Sequence, residues 1–138
     1  MNHSMLLGRL AADPQLSTTP TGKSVTRFTI ACNEPYVTAD GERKEVTSFI
    51  RCVVWGKNAE TLASIGQKGM LILALGRQTT KSYEKDGQRK YSTEIVCNFI
   101  GMSLQVVAQL LATTSKPAAP GQSFTDMGTQ TTQEDLPF

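Results

Sequence analysis

The chain has 138 residues, 39% of them hydrophobic, with 14 Lys+Arg against 12 Asp+Glu. That length suits one core with a short appendage, and the longest apolar runs, such as MLILAL at 70 to 75, fall far short of the roughly 20 residues a membrane span needs. The three cysteines, Cys32, Cys52 and Cys97, are widely spaced among apolar neighbours, which fits buried reduced thiols and argues against a disulfide framework or a zinc site.

The start, MNHSMLLGRL, reaches an Arg too soon for a signal-peptide apolar region, so a cytoplasmic location and no membrane association are the expectation. Residues 4 to 10, SMLLGRL, read as a first strand closed by ADP. After the turn signal TPTGK, residues 24 to 33 alternate, with Val25, Arg27, Thr29 and Ala31 on one face and Phe28, Ile30 and Cys32 on the other. That is a second strand. The loop TADGERKE at 38 to 45 carries a DG turn and mixed charge, as a hairpin tip in solvent does.

The third strand, SFIRCVVWG at 48 to 56, has the most informative alternation. Ile50, Cys52 and Val54 form an apolar face, while Phe49, Arg51, Val53 and Trp55 form the other. Two aromatics bracketing an Arg make poor use of an ordinary solvated surface. KNAETLASIGQKG at 57 to 69 then changes period: Ala59, Leu62 and Ile65 share a helical face, with Asn58 suited to cap the start and Gly69 to end it. Strands resume over 70 to 83, turn at EKDGQ, and return over 89 to 101; residues 101 to 111 fit either a strand end or a short helix.

Three strands, a helix and two more strands predict an all-β OB-fold, a five-stranded Greek-key barrel with one helix between strands 3 and 4. The expected organisation is a barrel domain over 1–112, a disordered polar linker over 113–132, rich in Thr, Gln, Ser, Pro and Gly, and a tip, QEDLPF, at 133–138. Charge divides the same way: 13 Lys+Arg against 9 Asp+Glu in residues 1 to 112, and Lys116 against Asp126, Glu134 and Asp135 after them. A mildly basic body and an acidic end suit an anionic partner and a cationic one, respectively.

Enzymatic chemistry finds little support. His3 is the only histidine and sits at the N-terminus, so no Ser-His-Asp or Cys-His set can be assembled. Asp40, Glu42 and Glu45 share their loop with Arg43 and Lys44, which reads as a solvated tip before it reads as a Mg²⁺ site of a nuclease. No catalytic residue, metal or cofactor is expected. Binding of single strands instead needs cations along a backbone path and aromatic faces for bases. Candidates are Phe49, Arg51 and Trp55 with Lys57 after them, Arg77, Lys81 and Tyr83 at even spacing, and Arg9, Arg27 and Tyr36 extending the track. An OB module for RNA or for protein assembly is the alternative within binding.

LGRLAADP, FIRCVVWGKNAETLASIGQKG, GRQTTKSYEKDGQRKYSTEIV and the terminal acids-LPF tip resemble, in order and spacing, the bacterial single-stranded DNA-binding proteins. The resemblance covers residues 4 to 103 and the last few. It implies a homotetramer of OB-fold domains that wraps single-stranded DNA in replication, recombination and repair, in the nucleoid-associated cytoplasm. It places stacking aromatics at Tyr36, Phe49, Trp55 and Tyr83 and backbone-contacting cations at Arg9, Arg51, Lys57, Arg77 and Lys81. It also makes Glu134, Asp135, Leu136, Pro137 and Phe138 a hook for partner proteins: Phe138 offers a ring and the terminal carboxylate, Pro137 limits the conformations lost on docking, and the acids suit a basic rim.

Overall fold

The structure, a computed structural model, describes residues 1–114. Its elements run β1 (Ser4–Leu10), β2 (Gln15–Thr18), β3 (Ser24–Val37), β4 (Arg43–Trp55), α1 (Lys57–Ile65), β5 (Leu71–Lys85), β6 (Gln88–Met102) and α2 (Leu104–Thr114). The strands lie in the order β1-β5-β6-β4-β3-β2, and a second pairing of β1 with β3 joins the ends of the first five. The result is the expected OB-fold, a closed five-stranded barrel. The helix expected between the third and fourth strands falls between β4 and β5 in this numbering, because β2 adds a short edge strand that pairs only with β3. All four β2 residues are exposed, so no in-and-out alternation marked it in the sequence.

Alternation is enforced where the barrel encloses a core. Leu10, Phe28, Ile30, Cys52, Val54, Ile72, Ala74, Ile95 and Cys97 point inward, and Ala59 and Leu62 of α1 join them. α1 is pinned at its buried side by Thr26, whose hydroxyl donates to the Ala59 carbonyl at 2.7 Å, and at its rim by Ser24 Oγ, which donates to Glu60 Oε1 at 2.6 Å. Its ends differ from the sequence reading. Gly56, at φ +71°, precedes the first turn with no side-chain cap, and Gly66 closes the last turn through its N–H to the Leu62 carbonyl at 2.8 Å. Asn58 lies inside the helix. Gly69, at φ +90°, serves the turn into β5, where its N–H donates to the Leu10 carbonyl.

Two backbone features set the curvature. An added Cβ at Gly8 would overlap the Ala31 carbonyl and approach Ile30 Cγ2 to 2.6 Å; only glycine permits that approach where β1 passes between β5 and β3. On β6, Cys97 pairs with Gly76 and Phe99 with Leu75, leaving Asn98 as an extra residue. This bulge changes the phase of β6, so that Ile95 and Cys97 face inward before it and Ile100 and Met102 after it.

The three cysteines are free thiols, with Cys52 and Cys97 buried and Cys32 half-buried. A hydrogen bond with Cys97, together with burial, raises the Cys52 thiol above its ordinary value, and burial with the nearby Glu34 raises Cys32. Residues 101 to 111, left open between strand and helix, end β6 and begin α2, where Ser103 Oγ accepts from the Val106 N–H at 3.3 Å. No helix among the described residues is long and apolar enough to cross a membrane. Of the linker expected over 113–132, residues 113 and 114 end α2, and the remainder, with the tip at 133–138, lies outside the described residues.

Candidate nucleic-acid interface

The β3–β4 ladder places the candidate side chains. Antiparallel partners point to the same side, and on the outer side the pairs are Ala31 with Phe49, Thr29 with Arg51, Arg27 with Val53, and Val25 with Trp55. Phe49 is 68% exposed and Trp55 43% exposed, with Arg27 and Arg51 exposed between them. Val53 and Val25 share this face yet are buried, so they form an apolar floor beneath the arginines. Trp55 is therefore a half-exposed surface residue at the strand end, bordered by hollows that Lys23 and Lys57 also line. Lys23 carried no signal in the sequence, since it sits in a turn rather than in the alternating strand.

The other candidates join this face from both sides. Arg9 pairs with Ala31, the partner of Phe49, so Arg9 and Phe49 flank one small side chain. Its Nη1 donates to the Gly69 carbonyl at 2.9 Å, which orients the guanidinium and leaves further N–H groups for a phosphate. Across the sheet, Val53 pairs with Val96 and Val96 with Arg77. Arg27, Val53, Val96 and Arg77 thus form one row over four strands. Lys81 and Tyr83 continue outward along β5 on the same side as Arg77, opposite Ser92 and Lys90.

Tyr36 does not share this face. Alternation from the inward-facing Phe28 and Ile30 brings it, opposite Lys44, to the reverse face of the β3–β4 ribbon, where it is exposed. Tyr91 takes the matching position on the β5–β6 ribbon, opposite Ser82, and is also exposed. The sequence reading passed over Tyr91, although its neighbours Arg89 and Lys90 made a basic-aromatic signal. Glu94 was passed over as well; it lies among the candidates with its Oε1 3.7 Å from Lys81 Nζ.

Asp40, Glu42 and Glu45 are exposed around the β3–β4 tip, with Glu42 4.0 Å from Lys44. Among the described residues no three His, Cys, Asp or Glu side chains come together in a way that could hold a metal ion. The arrangement is chemically suited to stacking and phosphate pairing: flat apolar rings beside freely hydrated cations on a rigid sheet.

The Single-strand binding protein family model matches residues 1–103. Single-stranded DNA-binding protein 2 of Streptococcus agalactiae serotype III (strain NEM316) is 48% identical over 97 residues, covering 70% of this chain and 72% of that protein. Single-stranded DNA-binding protein 1 of Lactococcus lactis subsp. lactis (strain IL1403) is 37% identical over 152 residues, covering 100% of this chain and 99% of that one. Among solved structures, a Plasmodium falciparum SSB complex with ssDNA superposes with a TM-score of 0.67 at 28% identity, covering 73% of this chain and 91% of that one. A deletion mutant of the single-stranded DNA binding protein from Thermus aquaticus gives 0.68 at 29% identity, covering 75% of this chain and half of that chain.

Proposed function

The chain belongs to the Single-strand binding protein family, and on that footing we propose that it binds single-stranded DNA with little regard to sequence, coating and protecting it during replication, recombination and repair. The observation that carries this reading is the outer face of β3 and β4, where Phe49 and Trp55 are exposed around Arg51 and Arg27. Rings stack on any base because every base has a π-face, and the cations follow the phosphates. No bond is made or broken in this role.

The reverse-face tyrosines support a path in which the strand passes around the ribbons, with Tyr36 and Tyr91 as further stacking surfaces. Assembly as a homotetramer has support in a second exposed surface. On the outside of β1, β5 and β6, Met5 pairs with Leu75, Leu7 with Leu73, and Leu75 with Phe99. Met5 is 73% exposed, Leu7 62% and Phe99 49%, a contiguous apolar patch of the kind that marks a protein interface. A light-scattering mass of four chains is the expected result.

The tip extends the proposal to recruitment, with Phe138 as the anchor and Glu134 and Asp135 facing a basic rim. Phe138→Ala should empty the partner set pulled down from a bacterial lysate while DNA binding persists.

The binding reading is tested by titrating the protein with oligonucleotides of several sequences and following Trp55, the single tryptophan. Quenching on binding, affinity that falls by about 0.7 logarithmic units per phosphate neutralised for each tenfold rise in salt, and weak dependence on sequence are expected. A preference for duplex, or no binding at low salt, would overturn it. Running an RNA of matched sequence in competition separates DNA binding from the RNA alternative.

A further inference from the structure

His3, the only histidine, lies outside the β3–β4 platform, and the pairing of β1 with β5 gives it a neighbour. Ser4 pairs with Gly76, so one step further out His3 stands opposite Arg77 and Asn2 opposite Gln78. The terminus is held there instead of fraying: the Asn2 side-chain amide donates to the Gln78 carbonyl at 2.8 Å, and the Gln78 N–H donates to Asn2 Oδ1 at 3.0 Å. His3 and Arg77, both exposed, share the outer side with Met5 and Leu75. The surface thus turns from apolar to basic in one step. The row of Arg27, Val53, Val96 and Arg77 continues past β5 to His3.

Between these two side chains and the β6 bulge lies a hollow of about 390 Å³. Gly76 contributes no side chain to fill it, and an added Cβ there would overlap the Val96 carbonyl. The polar lining is Asn2, His3, Arg77 and the bulged Asn98, with no carboxylate. Among the described residues neither His3 nor Arg77 has an acid within ion-pair distance; the ion pairs are Lys44 with Glu42 and Lys81 with Glu94. Two cationic side chains directly opposite on adjacent strands repel. An anion between them turns that repulsion into attraction, and bulges are common beside functional sites.

We infer that this hollow is a phosphate site on the path of the bound strand, in which Arg77 and protonated His3 hold one phosphodiester, Asn98 offers its amide N–H, and binding tightens as pH falls. The inference rests on the single-strand binding reading and adds a contact and a pH dependence to it. An imidazole changes charge between about pH 5 and 8. Besides His3, the titratable groups at the hollow are Arg77 on β5 and, on β6, Cys97, which is buried with its thiol turned to the Ile95 carbonyl; the Met1 amine lies two residues up the same segment as His3. A free phosphate offers the same anion chemistry, but the continuous row from Arg27 to His3 favours the strand.

The test titrates a short oligo(dT) without terminal phosphates, which carries no group titrating near neutrality, at about pH 6 and about pH 8 and at several salt concentrations, following Trp55. Wild type should bind about fivefold tighter at the lower pH, the upper end of what an exposed ion pair contributes. Its slope of log affinity against log salt should steepen there by about 0.7, for one more phosphate neutralised. His3→Gln should bind equally at the two pH values. His3→Lys, which keeps the charge, should also bind equally at both, and more tightly than His3→Gln; far-UV spectra check the folding of each variant. The imidazole proton resonances of the single histidine should move on adding oligo(dT) and stay in place on adding inorganic phosphate at matched ionic strength.

A wild-type affinity that does not change with pH, or a pH dependence that His3→Gln retains, would overturn the site. Imidazole resonances that move equally with inorganic phosphate would make the hollow a site for free anions and overturn its place on the path of the strand. Failure of wild type to bind oligo(dT) at either pH would instead overturn the single-strand reading beneath it.

Discussion

Strands β3 and β4 pair without a break from Val25–Trp55 to Val37–Arg43, yet their two halves live under different physics. In the barrel half, each inward residue from Phe28 to Ile30 and from Cys52 to Val54 is buried or tied to the core, and slipping the register by one would turn that set outward. In the outer half, residues 33–37 and 43–47 are exposed on both faces. What holds them is the ladder itself, a cross-strand bond from Thr47 Oγ1 to Asn33 Oδ1 at 2.9 Å, and the tip bonds between Thr38, Gly41 and Glu42. The β5–β6 ribbon repeats the scheme, with Thr80 and Thr93 hydroxyls 2.9 Å apart and an Asp86–Gly87 turn at positive φ. A two-stranded ribbon is marginal on its own, so the body supplies the stability on which the ribbons depend.

The largest effect that tests this contrast is in the core. Ile30→Ala, at a fully buried position, should cost about 2–5 kcal/mol, whereas Val46→Ala in the outer half should stay within about 0.5 kcal/mol; urea midpoints of the two variants check it. Equal losses would mean that the ribbon is as tightly coupled to the core as the barrel wall.

Next is the proposed stacking platform on the outer face of β3 and β4. Phe49→Ala should leave the melting temperature nearly unchanged and lose about 1–3 kcal/mol for the base it stacks. Arg51→Ala should lower the slope of log affinity against log salt by about 0.7 for a phosphate contact removed. Fluorescence titration at several salt concentrations reads both, and a stability loss matching the binding loss would place Phe49 in the structural wall instead.

The smallest effect concerns the thiols. At neutral pH, Cys52 is both enclosed and raised in pKa, so it is held as the protonated, unreactive form. Cys32, half-buried where the barrel gives way to the ribbon, should react first with iodoacetamide, and Cys52 and Cys97 only as the barrel opens. Mass spectrometry of the partly alkylated protein reports the order.

Much of the barrel was legible because burial on one side imposes a period of two. The Ile50, Cys52, Val54 series and its opposite Phe49, Arg51, Trp55 series could be read directly, as could α1 from Ala59, Leu62 and Ile65. Where burial ceases, so does the signal. β2 is exposed throughout and has no pattern to read, the ribbons extend several residues beyond what alternation suggested, and Gly56 and Gly66 rather than Asn58 and Gly69 bound α1 because backbone geometry set its ends.

The candidate surface divides along the same line. Residue types and spacing along single strands determined that aromatics alternate with cations on β4 and that Arg77, Lys81 and Tyr83 share a side of β5. Only tertiary pairing decided that Arg9 meets Phe49 across Ala31, that Arg77 joins Arg27 in one row, that Tyr36 turns to the reverse face, and that Glu94 stands beside Arg51. Alternation is local and is written in consecutive residues; register between distant strands is fixed by closure of the barrel, by the close approach of β3 to Gly8 of β1 and by the bulge at Asn98 against β5, each of which exists only once a second strand is in place.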